Sequence, residues 1–200
     1  MFRIMKILAA FQPSACLRAG STRTASKGFT AIELLVVISI LGILAALAAP
    51  SFTPLMERWR VRQVNEALQS SLYLARSEAI KRGGNVVVKK LPNNTNNCTT
   101  ASGTNDWGCG WVVCDASANA TCNPSGTILQ RYDAPPKVEV TRSAGGETIT
   151  IDRWGAVTTY IGISVVPQGK PTTDPATRGV CMSSGGRIRA TLPEDTPCTS

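Results

Sequence analysis

Gly185-Gly186-Arg187-Ile188-Arg189 carries two guanidiniums at i, i+2 spacing. On a strand over 187–191 the two arginines share one face, and Ile188 turns the other way into a core. Two residues of strand separate them by about 7 Å, near the spacing of successive phosphates along a nucleic-acid strand. The planar guanidinium fork suits phosphate oxygens. The paired glycines, Gly185 and Gly186, would let backbone N–H groups approach the same anion. Arg178, Lys170, Lys89 and Lys90 are further cations that would extend such a patch. The same residues equally describe an edge strand guarded by charge against aggregation. Glu194 and Asp195 nearby oppose a purely electrostatic site. On the residues alone both readings stay open.

The cysteines are the second group with chemistry. The 200 residues hold seven Cys and no His. Without His there is no Ser-His-Asp or Cys-His machinery and no His-ligated metal. Cys98, Cys109, Cys114, Cys122, Cys181 and Cys198 form an even set, with spacings that include no C-x2-C pair. Disulfides in an exported domain are the expected use, and zinc is the alternative. Nearest-neighbour pairing predicts Cys98–Cys109, Cys114–Cys122 and Cys181–Cys198. The last pair would bracket the arginine segment and hold it as a rigid loop. No metal or cofactor is implied, and no nucleophile–base pair points to an enzyme.

The elements that must position these residues begin with an unusual N-terminus. Residues 1–28 hold Arg3, Lys6, Arg18, Arg23 and Lys27 with no acid, together with the seventh cysteine, Cys16. Residues 34–49 then carry no charge, and Pro50 ends the run. A helix over 29–52 would be about 36 Å long, enough for a bilayer core of about 30 Å. The basic flank would stay cytoplasmic. Glu33 fits neither a plain secretory signal nor a plain anchor, because a carboxylate is costly to bury in hydrocarbon. Gly42 and Pro50 are the weak points of this helix.

Beyond Pro50, residues 54–82 read as an amphipathic helix with Trp59, Val64, Leu68, Leu72, Ala75 and Ala79 in one apolar stripe, stopped by Gly83-Gly84. Short strands are predicted at 85–90, 110–114, 128–132, 137–141, 148–152, 156–159, 162–166, 179–183 and 187–191. A long helix followed by an antiparallel β-sandwich is α+β. The domains expected are a leader over 1–28, a hydrophobic helix over 29–52, its continuation over 53–84, and a globular β domain over 85–200.

Lys27-Gly28-Phe29-Thr30-Ala31-Ile32-Glu33-Leu34-Leu35 resembles the prepilin signal of the type IV pilin superfamily. The resemblance implies a type IV pilin-like fold, with cleavage after Gly28 by a membrane prepilin peptidase and methylation of the new N-terminus, Phe29. It places Glu33 at the fifth mature position and Pro50 at the twenty-second, both as assembly residues. A neighbouring subunit's N-terminal amine would offset the Glu33 charge and set the subunit stagger. The leader is long for this class, and Met5 is an alternative start to Met1. Cleavage would remove five of the 21 basic residues and none of the 13 acidic ones, taking net charge from +8 to +3.

A second similarity covers the rest. The segment Leu74-Ala75-Arg76-Ser77-Glu78-Ala79-Ile80-Lys81-Arg82-Gly83, with Trp111-Val112-Val113 and Ile151-Asp152-Arg153-Trp154-Gly155, is similar to the GspH/FimT family of minor pilins and pseudopilins. Gly186-Arg187-Ile188-Arg189 matches the Gly-Arg-x-Arg pattern of FimT-type minor pilins, which bind double-stranded DNA in natural transformation. That similarity implies a DNA site at Gly186, Arg187 and Arg189, extended by Arg178, Lys89 and Lys90. Other major and minor pilins would be its partners. It would sit in the inner membrane before assembly and at the extracellular pilus tip afterwards. A structural minor pilin that primes assembly, or a GspH-like pseudopilin of type II secretion, are the alternatives.

Overall fold

The computed structural model describes residues 28–48, 52–116, 122 and 127–198. The chain forms two compact units that divide between Ala46 and Leu47. In the first unit, α1 (Ala31–Ala48) begins where Thr30 caps it, the Glu33 N–H donating to Thr30 Oγ1 at 3.2 Å. Glu33 lies in the first turn, where the helix dipole favours an anion. Leu34, Leu41 and Leu44 are each more than half exposed. At 18 residues α1 is about 27 Å long, and no single described helix is long and apolar enough to cross a membrane. The continuous span expected over 29–52 runs through 49–51. Pro50 and leader residues 1–27 therefore lie outside the described residues.

The second unit is organised by α2 (Phe52–Arg82). Its buried stripe is Val61, Val64, Leu68, Leu72, Ala75 and Ala79, the three- and four-residue spacing of one helix face. Trp59 does not belong to it. That side chain is 57% exposed, and Val61, two positions on, supplies the apolar contact instead. Asn65 and Ser71 are the polar residues on the buried side, and Ser71 Oγ accepts the Trp111 Nε1–H at 2.9 Å. The helix closes as the Gly84 N–H donates to the Ala79 carbonyl.

Eight strands are described: β1 (Val86–Lys90), β2 (Trp111–Asp115), β3 (Thr127–Tyr132), β4 (Val138–Arg142), β5 (Thr148–Ile151), β6 (Ile161–Pro167), β7 (Arg178–Met182) and β8 (Ile188–Thr191). They form two antiparallel sheets, ordered β3-β2-β1-β5 and β4-β6-β7-β8. Inward residues of both sheets, among them Val88, Trp111, Ile163 and Met182, share one core with the α2 stripe. Residues 156–159, expected as a strand, instead follow a turn. Only Val157 pairs there, as a single bridge to Ile151.

A smaller apolar cluster of Leu91, Ala101, Cys109 and Val112 lies beneath the loop that follows β1. Cys98–Cys109 pins that loop, Cys114–Cys122 ties β2 to Cys122, and Cys181–Cys198 fastens the C-terminal segment to β7. These are the nearest-neighbour pairs.

Candidate nucleic-acid interface

The C-terminal hairpin is β7 and β8, with β8 at the sheet edge. Met182 lies opposite Ile188, Cys181 opposite Arg189, and Gly179 opposite Thr191. Ile188 is buried in the shared core, so alternation turns Arg189 to the outer face. The strand starts at Ile188 rather than Arg187. Arg187 occupies the turn, where its carbonyl accepts the Ser183 N–H at 3.0 Å and its own N–H donates to Ser183 Oγ at 3.1 Å. Arg187 and Arg189 are both exposed with buried Ile188 between them, so the alternation persists past the strand end. Among the described residues neither arginine forms an ion pair. Burial pushes the Tyr160 phenol up, and the Arg189 charge opposes that shift.

Gly186 has a different role from the anion approach expected of it. It is buried, with φ +82°, and a Cβ there would lie 2.1 Å from the Gly155 carbonyl oxygen. Its carbonyl accepts Arg76 Nη1–H at 2.8 Å, and its N–H is spent on the Ser183 carbonyl at 2.8 Å. The Gly186 and Arg187 N–H groups thus bond inside the turn and do not reach outward. Gly186 lets two turns touch.

The remaining cations do not join the two arginines. Arg178 begins β7 at the opposite end of the hairpin, and its register puts it on the inner side with Val180. Its Nη1 donates to the Pro175 and Thr177 carbonyls. Arg178 shares a surface hollow with Glu194, so the acidic residue sits at that end, away from Arg187. Lys89 and Lys90 are on β1 in the other sheet, on opposite faces by alternation. Lys90 is buried, and its Nζ donates to the Ala101 carbonyl at 3.1 Å and to the Gly103 carbonyl. It holds a loop and is closed to a ligand. Lys89 is half-buried in a hollow with Val112, Arg131 and Glu147.

Three residues near the hairpin were not singled out from sequence as part of a site. Arg76 of α2 reaches across to Gly186, Tyr73 donates its hydroxyl to the Ile188 carbonyl at 3.3 Å, and Trp154 stands 76% exposed on the turn that touches Gly186. The available signal was Asp152-x-x-Gly155, a turn pattern whose Asp caps backbone N–H groups.

The family model for type II transport protein GspH matches residues 65–186, and the prokaryotic N-terminal methylation motif matches 23–49. The GspH match stops at Gly186, so Arg187 and Arg189 lie beyond it. The type IV narrow pilus major component PilA5 of Thermus thermophilus is 30% identical over 130 residues, covering 64% of this chain and 95% of that protein. A fimbrial protein of Pseudomonas aeruginosa is 43% identical over 72 residues, 36% of this chain; the match spans 46% of the fimbrial protein's own length. The crystal structure of the P. aeruginosa type IV minor pilin FimU superimposes with a TM-score of 0.56 at 22% identity, covering 73% of this chain and 98% of FimU. That likeness concerns the fold. The chain belongs to the GspH family, within the type IV pilins.

Proposed function

We propose that this chain is a minor pilin that captures double-stranded DNA through phosphate contacts of Arg187 and Arg189. The observation that carries the reading is a pair of exposed, unpaired guanidiniums on a hairpin fastened by Cys181–Cys198. Rigid placement lowers the ordering cost of binding. Two such contacts read no sequence and bind weakly, in the non-specific range of about 10⁻⁴ to 10⁻⁶ M. In this proposal the peptidase removes residues 1–28 and methylates Phe29. Glu33 and Pro50 serve assembly with other pilins, starting from the inner membrane. Residues 29–52, 53–84 and 85–200 act as filament helix, connecting helix and capture domain.

The test titrates the full chain, in detergent, with labelled duplexes of unrelated sequence at about 20 mM and about 150 mM salt. Equal affinity across sequences is expected, with log K falling against log salt at a slope of about −1.8 for two phosphates. Arg187→Ala with Arg189→Ala is expected to flatten that slope. Absence of binding at low salt overturns DNA capture and leaves a priming or secretion role. Scoring transformation separately from piliation in a deletion strain distinguishes capture from priming.

A further inference from the structure

Trp154 is the most exposed of the four tryptophans, at 76%, while Trp107 and Trp111 are fully buried. Its turn is not loose. The Trp154 and Ala156 N–H groups both donate to Asp152 Oδ1 at 2.8 Å. The Gly155 N–H donates to the Asp152 carbonyl at 3.0 Å, and the Asp152 N–H to the Ala156 carbonyl at 2.9 Å. A fixed backbone thus holds a large aromatic ring in solvent, where burial would have been favourable.

The turn that carries the ring touches the arginine hairpin. The Gly155 carbonyl lies against Gly186, the Val157 N–H donates to the Ser184 carbonyl at 3.0 Å, and Arg76 packs on both glycines. Trp154 and Arg187 each neighbour one of the touching glycines. At 3.8 Å per residue step their Cα atoms are within roughly 14 Å, a gap their side chains can bridge through one nucleotide. Exposed Arg153 precedes the ring in the chain. A flat aromatic face beside cations is the arrangement that holds a base by stacking while its phosphate is neutralised.

We infer that Trp154 and Arg187 form a stacking-and-phosphate subsite for an unpaired base, so the hairpin that takes up duplex through its phosphates holds a frayed end or a single strand more tightly than paired sequence. The inference rests on the DNA-capture reading and adds a contact to unpaired bases, such as those at the ends of a captured duplex. A paired base has no free face for the ring except at a duplex end. An unpaired base offers its face to Trp154 while its phosphate meets Arg187. Stacking is sequence-tolerant, so the preference concerns pairing state and not base identity.

The test uses the full chain in detergent with a non-self-complementary 20-nucleotide strand and the matching blunt duplex, at low salt. The single strand is expected to bind about tenfold tighter per phosphate, one stacked base's worth. Trp154→Ala is expected to abolish that preference and leave duplex affinity within about twofold, whereas Trp154→Phe retains most of it. Near-UV circular dichroism of each variant verifies the fold. Arg187→Ala weakens both substrates. No binding of either substrate defeats DNA capture itself. Duplex binding with no single-strand preference, or a preference untouched by Trp154→Ala, overturns this inference alone. If Trp154→Ala changes only co-sedimentation with other pilin subunits, the ring is a protein contact and the inference fails.

Discussion

Substituting Ala at Gly186 and at Gly185 separates two neighbours that look alike in the sequence. At Gly186 the left-handed φ of +82° costs an L-residue about 1–2 kcal/mol. The added Cβ would also meet the Gly155 carbonyl at 2.1 Å and Arg76 Nε at 3.0 Å. That carbonyl belongs to a turn held by Asp152 and cannot swing aside freely, so overpacking adds about 1–3 kcal/mol. The reduced freedom of the unfolded chain returns about 0.4–1 kcal/mol. The net expectation is a loss of about 1–5 kcal/mol, or about 2–18 °C in Tm for a chain of this size. At Gly185 nothing lies within 4 Å of the new Cβ, so the change should stay within about 0.5 kcal/mol. Urea unfolding of the full chain, followed by the emission of buried Trp107 and Trp111, measures both. A Gly186→Ala variant within about 0.5 kcal/mol of the parent, or equal losses at the two positions, would refute the touching-turn argument.

Further expectations follow from single contacts. Lys90→Ala should cost about 1–3 kcal/mol by leaving the Ala101 and Gly103 carbonyls without their donor, and should leave DNA affinity unchanged in the same titration. Removing Cys181–Cys198, which closes a separation of 17 residues, should cost about 3 kcal/mol in denaturant melts and speed hydrogen exchange in β7 and β8. A double-mutant cycle on Trp111→Phe and Ser71→Ala should show coupling of about 1 kcal/mol at the helix–sheet contact. Tyr160 should ionise above the ordinary phenol value because burial disfavours the phenolate, and Arg189→Ala should raise it further by removing a stabilising cation. Ultraviolet titration reads that shift. The sign for stability is a contribution held below the ordinary phenol pKa and lost as pH rises past the folded value.

Period and punctuation were enough to read the helices and most strands. The α2 stripe, the Gly83-Gly84 stop and the β-branched runs each report a local preference, so they appear near their expected places. Trp59 shows where this fails. It stands two residues before Val61, and periodicity alone does not say where on the helix packing begins. Residues 156–159 failed for a related reason. Their apolar and β-branched character serves one bridge at Val157, after a turn that Asp152 had already closed.

The site was legible only along the chain. The i, i+2 arginines and buried Ile188 followed from alternation, which is local. Membership of the patch depends instead on which sheet each strand joins, and no local signal carries that. Lys89 and Lys90 were equal candidates in sequence, yet strand order puts both in the other sheet and burial spends Lys90 on loop carbonyls. Trp154 lies 33 positions before Arg187, and their two turns meet only because Gly155 and Gly186 lack side chains there. The Gly-Arg-x-Arg glycine is therefore better understood as the joint of the site than as part of its ligand surface. That assignment makes a distinction a binding curve can show. Changing Arg187 should alter affinity and leave the fold intact, whereas changing Gly186 should weaken the fold first and displace Trp154 from Arg187 as a consequence.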